Sequence, residues 1–222
     1  MRAAVAALVQ NEPRLWLGAG ANQASARIRT EATGWPELDR VLPGGGWPAG
    51  ALTELFCPVE GIGEFSLLMP LIVRLTAAGK RVVLVSPPHV PYSQALSERG
   101  VKLDKLVLLS PQSARDTLWA AEQTLRCSAV GLVVAWAGRA HDRELRRLTL
   151  AAETSGATLI TYRPAHEARS FSPAALRIAV RTSLLGTGLT LEVLKSRGGP
   201  VTAPVAMNDP FHTRLRTGAG RA

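Results

Sequence analysis

Two hydrophobic periods alternate along most of the chain. "ALTELF" (51–56) predicts a strand. Residues 66–78 place Leu67, Leu68, Leu71, Ile72 and Leu75 on one side of a helix. "RVVLVS" (81–86) is an apolar strand, and Ser93–Arg99 a short helix. "KLVLLS" (105–110) is a strand, followed by a helix over Gln112–Arg126. "AVGLVVAW" (129–136), Asp142–Thr154 and "ATLITY" (157–162) repeat the strand, helix, strand order. Near-continuous Val/Leu/Ile runs between helices indicate a parallel sheet covered on both faces. The ending differs. Residues 176–183 and 189–196 alternate apolar and polar positions, and Gly186 and Gly188 supply a turn, which predicts an antiparallel hairpin. The expected class is α/β: a mostly parallel sheet covered by helices, with a C-terminal antiparallel hairpin.

The flanks are less regular. "MRAAVAALV" predicts a short helix burying Val5, Leu8 and Val9; it is too brief for a secretory signal before "NEPR". Residues 11–33 form a loose connector. Thr33 is placed to cap a short helix through Leu38 and Val41, which the Pro43–Gly46 turn ends. Residues 198–222 are rich in Gly, Pro and Arg and are expected to be flexible. No run approaches the roughly 18 apolar residues of a membrane span. Cys57 and Cys127 are the two cysteines of the 222-residue chain, too few for a disulfide framework, so a reduced cytoplasmic setting is expected.

The net charge of +9 is uneven: residues 1–111 carry +2 and residues 112–222 carry +7. All but Lys80, Lys102, Lys105 and Lys195 of the basic residues are arginine, which suits bidentate contact with phosphate or carboxylate. Two readings stand: a nucleic-acid or acidic protein partner, or an arginine preference on a solvated surface.

"CPVEGIGEFS" (57–66) lies between a strand and a helix, the setting of a phosphate-binding loop. A working loop has the spacing G-x-x-x-x-G-K-[ST], with amides and lysine on phosphate and a hydroxyl on magnesium. Here Cys57 stands near the first glycine and Gly63 at the second, in a loop one residue longer, with Gly61 inside it. Glu64 and Phe65 replace the lysine and the hydroxyl. A carboxylate there repels polyphosphate by several kcal/mol at an effective dielectric of about 20. Pro70 removes an amide from the early helix unless the helix starts near it. Ala135 and Trp136 stand where a magnesium-holding acid belongs, and "SPPHVPY" offers His89, read as a solvated loop histidine, where a water-activating glutamate belongs, so cation, metal ligand and base are all missing. The expectation is no ATP hydrolysis, no cofactor and no metal.

"TGWPELDRVLPGGGWPAGALTELFCPVEGIGE" resembles the start of the RecA-like core in the ImuA family. That family comprises translesion-synthesis-associated proteins that also resemble the division inhibitor SulA. The shared features are Thr33–Gly34, Leu38–Asp39, Gly44–Gly46, Pro48 and Gly50, with "LEVLKSRGGP" (191–200) resembling the last core strand and its basic turn. The resemblance covers about residues 30–200 and implies three parts: an N-terminal helix and connector (1–32), a RecA-like core (33–197) and a basic tail (198–222). It implies an SOS-induced accessory factor with an ImuB polymerase-like protein and an error-prone DnaE-type polymerase as partners, and RecA as a further one. The alternative is SulA-like inhibition of cell division through the tubulin-like division protein.

Two contact regions are expected. At about 100° per residue, Arg139, Arg143, Arg146 and Arg147 fall within an arc of about 100° on a helix near 139–155, opposite Leu145, Leu148 and Ala152. They would meet DNA or an acidic partner, or form an ordinary solvated face. The second region is Lys195, Arg197, Phe211, Arg214 and Arg216, around the tail. Trp35 and Trp47 are expected to pack over the lost nucleotide site, Phe65 to fill the phosphate space, and Trp119 and Trp136 to lie in the core or at the sheet edge.

Overall fold

The computed structural model describes residues 29–183, 188–199 and 202–207. The expected helix at Val5–Val9, Gly186 of the hairpin turn, and Phe211, Arg214 and Arg216 lie outside the described residues.

The strands are β1 (Thr30–Glu31), β2 (Trp47–Pro48), β3 (Leu52–Cys57), β4 (Arg81–Val85), β5 (Leu106–Leu109), β6 (Val130–Trp136), β7 (Thr158–Pro164), β8 (Leu176–Thr182), β9 (Leu189–Ser196) and β10 (Val205–Met207). The helices are α1 (Pro36–Asp39), α2 (Met69–Ala77), α3 (Ser93–Glu98), α4 (Ala114–Leu125) and α5 (Asp142–Ser155). Eight strands make one sheet in the order β10-β9-β8-β3-β7-β6-β4-β5. From β8 to β5 every neighbouring pair is parallel; β9 and β10 add antiparallel pairs at the other edge. β1 and β2 form a separate antiparallel pair.

The apolar runs are buried on both faces because alternate residues point to opposite sides. Leu55, Val82, Leu84, Leu132, Val134, Ile160 and Tyr162 join one core with residues of α1, α2 and α3. Val83, Val85, Val133, Ala135 and Leu159 join a second core with α4 and α5. This is the expected α/β architecture with its C-terminal antiparallel strands.

Local chemistry moved several boundaries. Thr33 does not cap α1. Its hydroxyl accepts from the Trp35 N–H at 3.0 Å, and its own N–H donates to the Asp39 carboxylate at 2.8 Å. The helix begins at Pro36. Before α2 the chain makes a 3₁₀ turn over Glu64–Leu68, so the α-helix starts at Met69. Pro70 therefore sits in the first turn, where its missing N–H costs nothing. The helix predicted from Gln112 begins at Ala114, because the Ser113 hydroxyl accepts from the Asp116 N–H at 3.1 Å. The region expected to be flexible from residue 198 is paired in part: Val205–Met207 lie along Leu189–Leu191, and Met207 is buried. Apolar alternation over only three residues is too short to read from sequence. No helix among the described residues is long and apolar enough to cross a membrane.

Candidate functional site

β3, β4, β6 and β7 all end on one side of the sheet, where the crevice outside the carboxyl ends of parallel strands is the usual ligand position of such folds. A cleft of about 510 Å³ lies there. It is lined from β3 and its loop by Cys57, Pro58, Val59, Glu60 and Glu64, and from the end of β4 by Ser86 and Pro88. The ends of β6 and β7 add Trp136, Gly138, Tyr162, Arg163 and Pro164.

Two glycines set the turn of the loop. Gly61 and Gly63 adopt left-handed torsions, with φ of 79° and 93°. That bend lets the Gly61 N–H donate to Glu64 Oε1 at 3.1 Å. The loop thus folds around an internal carboxylate in place of an external anion. Glu64 is only 6% exposed, and its Oε2 has no hydrogen-bond partner among the described residues. The Tyr162 hydroxyl donates to the Glu64 backbone carbonyl at 2.8 Å, which ties the turn to β7.

The lining carries two acids, Glu60 and Glu64. Burial first, then the charges of Glu64 and Glu60, push the Cys57 thiol up to about 12. Burial, followed by the Cys57 and Glu64 charges, raises the Tyr162 hydroxyl well above the ordinary phenol value. Among the described residues Arg163 is the one cation in the lining, and its donors are committed. They reach Glu54, Glu167 at 3.0 Å and the Ala140 carbonyl at 3.1 Å. Ser86 carries a left-handed φ of 52°, unusual for a residue with a Cβ, and its hydroxyl lies 2.7 Å from that of Thr117.

The thiols give a direct check. In the folded protein at a pH of about 8, exposed Cys127 should react promptly with a disulfide reagent. Cys57, 8% exposed at the cleft wall and with its proton held tightly, should react far more slowly. Two equally fast thiols would contradict the burial and tightly held proton of Cys57. The raised thiol also has a pH signature. The unfolded chain gives up this proton near 9.0 and the folded one near 12, so stability should fall as pH rises through that interval.

The expected aromatic arrangement is corrected at Trp47, Trp35, Phe65 and Trp119, whereas Trp136 packs against the core as expected. Trp47 is fully buried in the core and does not reach the cleft. Trp35 donates its indole N–H to the Leu67 carbonyl at 3.0 Å, which fixes α1 to the turn before α2. Phe65 packs on the core and against Trp136, 6.1 Å between rings, so Glu64 and not Phe65 occupies the cleft wall. Trp119 is 58% exposed on α4. Trp136 is stacked on Tyr162 with centroids 5.0 Å apart and is a wall of the cleft. Ala135, in the position of the expected acid, points into the opposite core.

The arginine arc is also divided. α5 starts at Asp142, so Arg139 lies in the preceding loop, 3.6 Å from Glu167. The start is set by the His141 N–H, which donates to the Glu144 carboxylate at 2.8 Å. Arg146 pairs with Asp142 at 2.8 Å, and Arg147 reaches across to Glu122 of α4. Arg143 is exposed and has no ion pair among the described residues. Leu145, Leu148 and Ala152 are buried, as expected. Lys195 and Arg197 lie where β9 ends, on the side of the sheet opposite the cleft. Lys195 donates to the Ser172 carbonyl at 2.9 Å, and burial followed by nearby Arg177 lowers its affinity for a proton.

The residues present do not fit a magnesium–nucleotide complex. The helix-entry position presents a buried carboxylate, and the lining's cation is held by internal partners. Among the described residues no three His, Cys, Asp or Glu side chains are grouped to hold a metal ion. Residues missed in sequence were Glu54, Tyr162 and Arg163. For the two charged ones the available signal was a single charge in each of the apolar strands "LTELFC" and "TLITYRP".

The fold is α/β with a mostly parallel sheet, and an acid, Glu64, occupies the helix-entry position of its glycine loop. Residues 40–167, more than half of the chain, match the MT3502 N-terminal domain family, and the chain belongs to that family. It is also distantly related to RecA. RecA of Bacillus cereus (strain B4264) is 29% identical over 112 residues, covering 50% of this chain and 32% of that protein. RecA of Phytoplasma mali is 33% identical over 110 residues, covering 48% and 31%. RecA of Leptospira meyeri is 28% identical over 133 residues, covering 58% and 34%. The chain thus spans about a third of the length of the curated relatives it matches.

Proposed function

We propose that this protein is a non-catalytic accessory factor of the ImuA type, acting in the cytoplasm in SOS-induced translesion synthesis and mutagenesis. Its partners in this reading are an ImuB polymerase-like protein and an error-prone DnaE-type polymerase, with RecA as a further one. The observation that supports a non-catalytic reading is Glu64: it stands in the cleft wall where a phosphate-gripping lysine is needed. A RecA-related core without a triphosphate site retains a folded surface, and binding partners is the use left to it. The relationship to RecA, together with the ImuA-like "TGWPELDRVLPGGGWPAG" stretch, supports the DNA-repair setting. Exposed Arg143, with Lys195 and Arg197 on the far side of the sheet, offers positive charge for DNA or an acidic partner.

The test is capture of ImuB and of the tubulin-like division protein by the purified chain, with and without ATP. Retention of ImuB that ignores ATP is the expected result. Retention of the division protein alone would move the assignment to a SulA-like inhibitor. Retention that requires ATP would overturn the non-nucleotide reading of the loop.

A further inference from the structure

The glycine loop occupies the position that suits an anion, yet it is built here for the opposite charge. Glu64 is nine-tenths buried in the cleft wall, and one carboxylate oxygen lacks a partner among the described residues. A buried, unpaired acceptor of this kind is costly unless a donor arrives. Glu60 adds a second negative charge to the lining. Beside them stands the partly exposed ring of Trp136, held by its stack on Tyr162 and by Phe65 behind it. A carboxylate next to an aromatic wall is the pairing that receives a planar guanidinium: the acid takes its N–H donors and the ring faces its cation.

The other charges nearby do not cancel this. Arg163 is committed to Glu54, Glu167 and the Ala140 carbonyl. Arg139, one residue beyond Gly138, is turned to Glu167. Arg99, outside the lining, reaches the Ser66 hydroxyl at 3.3 Å. In the lining, Val59 is 61% exposed and joins Pro58, Pro88 and Pro164 as apolar surface beside the two acids. Apolar surface beside a charged group suits a polypeptide better than a free ion.

We propose that this cleft binds an arginine side chain presented by a polypeptide, with Glu64 as the charge partner and Trp136 as the stacking wall. The site stands apart from the choice between polymerase and division partners, and its test uses neither.

The experiment titrates the full chain with three capped peptides, Gly-Arg-Gly, Gly-Lys-Gly and Gly-citrulline-Gly, and with magnesium-ATP. Movement of the Gly61 amide and Trp136 indole signals is followed by two-dimensional NMR. The arginine peptide should saturate these signals. The uncharged citrulline peptide, of the same shape, should bind about tenfold more weakly or not at all. Lysine should fall between them. Glu64→Gln should cost the arginine peptide about tenfold while its spectrum elsewhere stays native. If that variant fails to fold, the arginine–citrulline comparison on the unaltered protein decides alone. Equal binding of arginine and citrulline, no movement at millimolar peptide, or movement of the same signals by magnesium-ATP would overturn the proposal.

Discussion

Replacing Glu54 with alanine is expected to cost about 3–5 kcal/mol, the range for removing one member of a buried ionic group. Glu54 is fully buried in the middle of the sheet, and both of its oxygens are used. One accepts from Arg163 on β7 and the other from Arg177 on β8 at 2.7 Å. The Arg177 guanidinium also lies over the Phe56 ring, 4.8 Å from its centroid. Alanine would leave two arginines in the interior with only Glu167 and backbone carbonyls as compensation. Glutamine at the same position keeps the shape and one acceptor, and should cost less. Urea unfolding with an unchanged denaturant slope would measure both. A loss below about 1 kcal/mol for alanine would mean that water or a rearranged Glu167 replaces the carboxylate.

Gly34→Ala is expected to cost about 2–4 kcal/mol. The residue has a left-handed φ of 84°, and an added Cβ would lie 2.3 Å from the Pro70 Cβ. The proline ring cannot rotate away, because it is fixed in the first turn of α2. The substitution should therefore lift the Thr33–Asp39 segment off α2 and strain the Trp35 bond to Leu67. Gly46→Ala is a useful comparison. Its backbone is extended, with φ of 172°, so torsion is no obstacle. An added Cβ would still meet the Glu31 carbonyl oxygen at 2.3 Å. Thermal unfolding of both variants separates the torsional part from the steric part. A Gly34→Ala protein as stable as the parent would show that this segment does not depend on close contact with Pro70.

Much of the fold was legible in the chain because its signals are local. Apolar runs of strand length, separated by helical periods, specify a parallel sheet buried on both faces. The antiparallel pairing of β8 and β9 followed from alternation and turn glycines. Boundaries were less legible where a side chain competes for a backbone group. Thr33 resembles a cap, but Asp39 and Trp35 claim its hydrogen bonds. The arginine arc assumed a helix from residue 139, whereas His141 and Glu144 start it at Asp142.

The sequence alone determined that an acid and an aromatic stand at the end of the glycine loop, since residue identity at a motif position requires no coordinates. Which of them enters the cleft was a tertiary matter. The 3₁₀ turn after Gly63 sends Phe65 toward the core and leaves Glu64 in the wall, bonded to Gly61. The same holds for Glu54, Arg163 and Arg177. They are charges in apolar strands, separated by more than a hundred residues between β3 and its neighbours. Only strand order and register bring them together, because pairing across a sheet is set by the packing of the whole core and not by any local pattern.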